Sequence, residues 1–274
     1  MKKLIVILSI SLLMCSCEKD DSSSEHKLKN CSVEYLFFYD NIYLSDFYSV
    51  GFPPSNEFAC RCSYTYAGSK AVKSVGGFVV IPSGGGFGNY MFSTNAYDSI
   101  SHAGNTILVY AKYKAENITQ ELGYNPTVFS FNSEDKLQQI TIRNANYPDG
   151  YNLNYTYSDN RITETYDNGD VYRTFYFENG NLVKVVREQT NEQGVVVWKK
   201  EILFNDFDSN PNPFKGLCYV RGAFFRSFSN NNYQGYTIKV YSQQDDESLT
   251  LISTYTYSMP ITYNGDGYPE FGDY

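Results

Sequence analysis

Covalent chemistry is best supported at the start of the chain, where one thiol stands in a context that favours modification. Met1-Lys2-Lys3 is followed by an apolar run over residues 4–14. This run suits the core of a signal peptide and is too short for a membrane-spanning helix, which needs about 20 apolar residues. The small Ser16 stands directly before Cys17. The sequence therefore predicts cleavage between them and a lipid on the Cys17 sulfur. The alternative is an ordinary secretory signal.

Four further cysteines remain in the mature chain: Cys31, Cys60, Cys62 and Cys218. Outside the cytoplasm they can form disulfides, and three connectivities are open. Two of them stand two residues apart in an expected strand, so both side chains point to one face and would bond elsewhere rather than to each other. The spacing lacks the gap of two to four residues usual within a zinc-binding pair. Buried thiols or one disulfide are favoured over zinc.

Catalytic chemistry has little support in the remaining residues. Of the two histidines, His102 is expected near a hairpin turn, where a solvated role is the common one. The sequence contains no nucleophile elbow, metalloprotease helix or phosphate loop. Residues 206–210 carry the first ligands of a calcium loop, but Pro211 replaces the required glycine, which favours a turn that caps its own backbone. We predict no enzyme, no cofactor and no metal site.

The composition indicates which partners and which fold class to expect. The formal net charge is −8, and a nucleic-acid groove needs a basic stripe instead. We therefore expect no nucleic-acid partner. Aromatic residues make up 17% of the chain, which favours β-structure. Aromatic-x-aromatic triplets recur at residues 64–66, 129–131, 155–157, 175–177 and 255–257. They predict an all-β fold, an antiparallel hairpin meander that forms a large curled, barrel-like sheet.

The clearest hairpins are predicted between residues 161 and 204. Asn168-Gly169 and Asn179-Gly180 are signals for two-residue type I′ turns, which need positive φ at both positions. The first turn predicts the pairs Tyr166–Val171, Glu164–Arg173 and Ile162–Phe175. The second predicts Phe177–Leu182 and Tyr176–Val183. These pairings set which side chains share a face of the sheet.

Other turns and loops complete the organisation. We expect a turn at residues 67–70, a Gly-rich loop at 82–88, a hairpin over 98–113, a break in the ladder at 210–213 and an exposed loop at 229–232. Residues 1–16 are the predicted signal peptide and 17–30 a flexible lipid-anchored tether. Residues 31–274 are predicted to form one all-β domain.

The residues after the lipidation site carry a family resemblance. Cys17-Glu18-Lys19-Asp20-Asp21 resembles the start of surface lipoproteins of Bacteroidota, in which a lysine and two acidic residues form an export signal. The resemblance implies that Lys19, Asp20 and Asp21 direct the protein to the outer leaflet. The expected location is the outer membrane, lipid-anchored and exposed at the surface.

The body of the chain also resembles known families. Tyr155-Thr156-Tyr157 with Asp159-Asn160-Arg161-Ile162 is similar to the tyrosine–aspartate hairpin repeats of large bacterial shell proteins. Residues 63–66, 75–78, 97–100 and 210–214 resemble a Bacteroidota lipoprotein domain of unknown function with a porin-like fold. That resemblance implies a fold and no activity. Asp98-Ser99-Ile100 is similar to an O-glycosylation triplet, which implies a sugar on Ser99; the alternative is an ordinary strand residue.

Two functions are compatible with these observations. The first is a non-enzymatic surface protein that binds a glycan or a protein partner, such as an outer-membrane protein, with Trp198, Tyr233 and Tyr236 as candidate ligand-binding aromatics. The second is a structural or adhesive coat protein without a small-molecule site. A membrane-embedded barrel is disfavoured, because the strand with Ile162 and Tyr166 carries the charged Glu164 on the same face.

Overall fold

The fold is all-β, as the sequence predicts. The computed structural model describes residues 30–32, 61–83, 87–115, 118–121, 126–143, 147–220, 222–244, 247–258, 260–265 and 269–270. Within these residues fifteen strands form one antiparallel sheet, and two more pair separately. The signal peptide, Cys17, Lys19, Asp20 and Asp21 lie outside the described residues.

The strands follow one another along the chain. They are β1 (Asn30–Ser32), β2 (Arg61–Ala67), β3 (Lys70–Ser83), β4 (Phe87–Ala103), β5 (Thr106–Ala115), β6 (Ile118–Glu121), β7 (Thr127–Phe131), β8 (Leu137–Ile142), β9 (Tyr151–Ser158), β10 (Arg161–Tyr166), β11 (Val171–Glu178), β12 (Asn181–Thr190), β13 (Val196–Pro211), β14 (Asn231–Gln243), β15 (Leu249–Ser258), β16 (Thr262–Tyr263) and β17 (Pro269–Glu270).

The sheet is a meander, because its strands pair with their sequence neighbours, with the exception that β6 and β7 both pair with β5 and not with each other. The order runs from β1 to β5, then from β7 to β15, with β6 paired to β5 beside β7. Successive turns therefore fall at alternate ends of the sheet. We call the end with the turns at 159–160 and 179–180 the first end, and the end with the turns at 167–170 and 191–195 the second end. Among the described residues no helix is long and apolar enough to cross a membrane.

The structure confirms one of the two predicted type I′ turns and shows a different turn type at the other. Asn179 and Gly180 have φ of 50° and 76°, which confirms a type I′ turn. At the other turn only Gly169 has positive φ, and the amide of Tyr166 donates to the carbonyl of Asp170. That geometry is a three-residue turn with a bulge. The sequence signal therefore located this turn correctly and assigned its type wrongly.

The bulges change two of the predicted pairs. Ile162–Phe175, Glu164–Arg173 and Phe177–Leu182 are confirmed as register partners. Val171 pairs with Thr165 instead of Tyr166, and Lys184 instead of Val183 pairs with Tyr176. A bulge places two residues of one strand opposite one of its partner, so the register shifts without inverting the faces of the whole strand.

One face of the sheet carries the core. In β9 the side chains of Leu153 and Tyr155 are buried, while those of Asn152 and Asn154 on the other face donate to the carboxylate of Asp167. This alternation is the period-2 pattern of a strand with one buried face. A sheet of this size needs a second layer over its apolar face.

The second layer is supplied by residues 212–220 and 222–230, which we call the covering segment. It connects β13 to β14 and contains a 3₁₀ turn over Arg226–Phe228. Its apolar residues Phe214, Val220 and Ala223 are fully buried. The rings of Phe224, Phe225 and Phe228 lie 6.2, 6.2 and 5.3 Å from the ring of Phe175 in β11. The sheet and the covering segment therefore share one aromatic core.

Polar side chains fix the ends of the covering segment. Asn212 Nδ2 donates to the carbonyls of Arg226 (2.6 Å) and Ser229 (2.9 Å), and Ser229 Oγ accepts from the amide of Leu182 (3.0 Å). The predicted ladder break is observed, since the β13–β14 ladder is irregular after Phe207 and reaches no further than Pro211. The predicted exposed loop at 229–232 is wrong, because Ser229 and Asn232 are fully buried; Ser229 Oγ accepts from the amide of Leu182, and the amide of Asn232 donates to the Asp208 carboxylate.

A buried ion pair lies under the covering segment. Glu164 and Arg173 are register partners with side chains 0% and 2% exposed. Arg173 Nε and Nη2 both donate to the Glu164 carboxylate, and Tyr155 donates its hydroxyl to the same group. Burial alone would lower the pKa of Arg173, but Glu164 holds it above its usual range. The Arg173 guanidinium also lies 5.2 Å from the ring of Phe224.

Removal of one partner should be strongly destabilising. We predict that Glu164→Gln lowers the free energy of unfolding by about 3–5 kcal/mol, because Arg173 is left as an uncompensated buried charge. The double variant Glu164→Leu/Arg173→Met should recover most of that loss, since it removes both desolvated charges. Urea denaturation measures both values.

The control is Glu134→Gln, which breaks the exposed ion pair with Lys136 and should leave the urea midpoint unchanged. An equal loss in Glu164→Gln and in the double variant would contradict the coupling of the two buried charges.

Candidate functional site

A cavity of about 550 Å³ opens at the first end of the sheet, between the hairpin turns and the covering segment. Its volume lies within the range of small-molecule sites in proteins. The lining residues come from five separate parts of the chain: Phe131, Asp135, Lys136, Leu137, Tyr157, Ser158, Asp159, Asn160, Arg161, Ile162, Phe177, Asn179, Gly180, Lys215, Gly216, Cys218, Ser227 and Phe228.

The floor of the cavity is apolar and aromatic. Phe131, Tyr157, Phe177 and Phe228 are partly buried rings that pack against the core. The Tyr157 hydroxyl donates to the carbonyl of Leu137 (2.9 Å), so its ring orientation is fixed. Burial raises the pKa of Tyr157, which keeps this phenol protonated and donating. The floor therefore offers rigid ring surfaces to a ligand.

The rim of the cavity is polar and carries both charges. Asp135, Lys136, Asp159, Arg161 and Lys215 line it. The Nζ of Lys136 lies 5.7 Å from the centroid of the Tyr157 ring at the floor. The Nζ of Lys215 donates to Asn230 Oδ1 (2.6 Å). Carboxylates accept and ammonium or guanidinium groups donate, so the rim can bond hydroxyl groups in either sense.

The turn at Asn179-Gly180 closes the wall against the covering segment. The amide of Asn230 donates to the carbonyl of Gly180 (3.0 Å). A Cβ on Gly180 would lie 2.0 Å from Asn230 Nδ2, and the residue has positive φ. The positive φ of the turn favours glycine here, and a side chain at this position would also displace the end of the Asn230 side chain.

Cys218 lines the inner wall of the cavity and is only 4% exposed. Burial raises the pKa of its thiol to about 12. A nucleophilic cysteine needs the opposite shift, toward the thiolate. Cys218 is thus a packing residue.

Of the other three cysteines of the mature chain, the structure describes Cys31 and Cys62. Cys62 is buried and its Sγ donates to the carbonyl of Gly76 (3.5 Å). Cys31 lies in β1, with its Cα opposite that of Cys62 in the register. Cys60 lies outside the described residues. Disulfide formation among these cysteines stays a prediction.

The three aromatic residues predicted to bind a ligand differ in how far they are buried. Trp198 lies half-buried near the start of β13, at the second end of the sheet. Tyr233 and Tyr236 are 1% and 0% exposed. The prediction that these two rings bind a ligand is wrong, because a ring enclosed on all sides cannot stack on a ligand from solvent. Tyr233 packs against Phe204, with ring centroids 4.7 Å apart.

The remaining predicted residues have local partners. Ser99 lies within β4 between Lys73 and Tyr110 of the neighbouring strands, and its modification stays a prediction. His102 Nε2 lies 2.8 Å from the carbonyl of Ala71. The Asp208 carboxylate accepts from the amides of Asn210 (3.1 Å) and Asn232 (3.0 Å). In the described part of the chain, no group of three or more His, Cys, Asp or Glu is placed to hold a metal ion.

Comparison with known proteins gives similarity at the level of structure. No protein-family model matches the chain, and no curated protein matches it in sequence. A porin-like protein from Bacteroides uniformis matches with a TM-score of 0.38 and 11% identity, over 79% of this chain and 86% of that one. A porin-like protein from Bacteroides vulgatus matches with a TM-score of 0.32 and 10% identity, over 74% and 87%. These values are too low to carry an argument about function.

The buried state of Cys218 is directly testable. We predict that iodoacetamide at pH 8 leaves Cys218 unmodified in the folded protein, because the thiol is buried and burial raises its pKa away from the reactive thiolate. In urea the same thiol should react at the rate of an ordinary cysteine. Mass spectrometry of peptides that contain Cys218 measures both; rapid labelling of the folded protein would show that the cavity wall is open there.

Proposed function

We propose that this chain is a lipid-anchored outer-membrane protein of the cell surface that binds a glycan without processing it. The single observation that carries the proposal is the cavity at the first end, with its aromatic floor and its polar rim. The proposed ligand is a short stretch of saccharide held in that cavity.

The chemistry of the walls supports a saccharide in particular. A sugar ring has apolar C–H faces and a periphery of hydroxyl groups that both donate and accept. The rings of Tyr157, Phe177 and Phe228 offer apolar area for the first. Asp159, Asn160 and Arg161 on the rim offer acceptors and donors for the second. Sites for small molecules commonly combine a few convergent polar groups with an apolar lining.

The anchor is proposed from the sequence. Lipid on Cys17 and export directed by Lys19, Asp20 and Asp21 would hold the folded part at the outer leaflet, at the end of a polar tether. The second candidate, a structural or adhesive coat protein, predicts an empty cavity and therefore becomes one outcome of the binding test.

The cavity should respond to a single rim substitution. We predict that a neutral glycan able to bind the full chain in detergent raises its melting temperature, and that Asp159→Ala weakens that binding about tenfold by removing charge-assisted hydrogen bonds. Calorimetric titration after a screen of neutral oligosaccharides measures the affinity.

The matched control is Glu192→Ala, an exposed acidic turn residue at the second end, which should bind as the unmodified chain does. A screen in which no oligosaccharide shifts the melting temperature would favour the coat protein. Equal weakening by both variants would place the ligand elsewhere.

Lipidation is tested separately. We predict that radiolabelled palmitate marks the protein, and that Cys17→Ser abolishes the label and releases the protein from the membrane fraction, since one sulfur carries the anchor. Cys15→Ser is the control and should keep both label and fractionation. Unchanged fractionation of the Cys17 variant would contradict the anchor and leave the cavity proposal standing.

A further inference from the structure

The last strand of the large sheet, β15, forms a long edge. In the described part of the chain it pairs with β14 alone, and the sheet order ends there. Its ten residues include no charged residue and no proline. Natural edge strands usually carry such residues, or are short or bulged, because an edge can pair with another chain. The opposite edge of the sheet is β1, which has only three residues.

Apolar side chains of β15 are exposed to solvent. Leu251, Ile252 and Tyr255 are 47%, 57% and 50% exposed, and Leu249 is 36% exposed. Large apolar side chains that are exposed together on one element mark an interaction site, whereas single ones are ordinary surface. The edge of β15 therefore combines a backbone that can pair with another strand and side chains that favour contact.

The regular part of β15 is its second half. Ile252 is an extra residue between the register partners of Tyr241 and Val240, so the strand has a bulge there. From residue 253 to residue 258 the register with β14 is continuous. A bulge hinders the approach of another strand. Residues 253–258 are therefore the part of the edge that can accept one.

The sequence of this part is complementary to itself. On either side of Thr256 stands a tyrosine and then a hydroxyl residue: Tyr255 and Thr254 before it, Tyr257 and Ser258 after it. Antiparallel pairing with a second copy about Thr256 therefore places tyrosine opposite tyrosine and hydroxyl opposite hydroxyl. Both kinds of directly opposite pair stabilise antiparallel strands. The ladder with β14 already contains a hydroxyl pair, since Thr256 Oγ1 lies 3.1 Å from Thr237 Oγ1.

The charges next to β15 favour the antiparallel orientation. The residues that precede the strand are acidic, with Asp245, Asp246 and Glu247. The two-fold axis of an antiparallel pair places these acidic residues at opposite ends of the contact, roughly 60 Å apart at about 3.3 Å per residue. That separation is far beyond the Debye length of about 10 Å at 0.1 M salt, so the two copies do not repel each other there.

We infer that β15 is a dimerisation edge, at which a second copy of this chain pairs antiparallel about Thr256. The two sheets continue into each other across the contact. The same surface is used by both copies, so the assembly closes at two chains and does not extend into a filament. Residues 254–258 of each copy form a small contact, which is typical of a weak and transient dimer.

A charge swap at the two-fold axis tests the register. We predict a reversible dimer of the full chain in detergent, with a dissociation constant on the order of 0.1 mM. Thr256→Lys and Thr256→Glu should each weaken it about tenfold or more, because each new charge lies directly opposite its own copy. An equal mixture of the two variants should form dimers again, since opposite charges then face each other. Sedimentation equilibrium in density-matched buffer measures all three.

The matched control is Thr250→Lys, which adds the same charge to the same strand at an exposed position. Thr250 lies on the other side of the bulge at Ile252, so no residue of β15 in the second copy faces it in the proposed register. This variant should dimerise as the unmodified chain does. Melting temperatures of all variants establish that they are folded.

Three outcomes would overturn the inference. The first is a monomer at every concentration, which would leave the edge to a strand of another protein. The second is association that Thr256→Lys does not weaken, as two lipid anchors in one micelle would give. The third is a mixture of the two charge variants that stays monomeric. None of the residues that line the cavity belongs to β15, so each outcome leaves the glycan proposal standing.

Discussion

The structure depends on how one chain covers the apolar face of its own sheet. A single sheet cannot bury its face alone, and here residues 212–220 and 222–230 supply the missing layer. The contact is aromatic, with Phe175 of β11 at its centre and the rings of Phe224, Phe225 and Phe228 around it. Buried side chains bond backbone groups at both ends of the segment: Asn212 donates to the carbonyl of Arg226, and Ser229 accepts from the amide of Leu182 in the sheet.

This arrangement divides the sheet face into two zones. The middle is closed and contains the Glu164–Arg173 ion pair, which tolerates burial because each charge has the other as its partner. At the first end the cavity lies between the covering segment and the hairpin turns, and the contact of Asn230 with Gly180 closes one of its walls. The candidate site thus lies between the end of the sheet and its cover.

Local pattern was sufficient to predict the meander and much of its register. The pairs Ile162–Phe175 and Glu164–Arg173 followed from turn residues alone, because a short hairpin leaves few registers open. The turn at Asn168-Gly169 was assigned the wrong type, since a glycine with positive φ serves a bulged turn equally well. The covering segment was not foreseen: residues 229–232 look like an exposed loop, and only tertiary contacts reveal that Ser229 of the segment and Asn232 of β14 are buried. The cavity was missed for the same reason, because its walls are far apart in sequence.

The central claim is that the covering segment is part of the folded core, and native-state hydrogen exchange tests it most directly. Amides at residues 217, 220, 223 and 227 donate to carbonyls within the segment, beneath buried side chains. The account predicts that peptides from this segment exchange as slowly as those from β11 and open only with the sheet. Exchange as fast as that of the exposed turn at 191–194 would show that the segment is a mobile loop and would contradict the account.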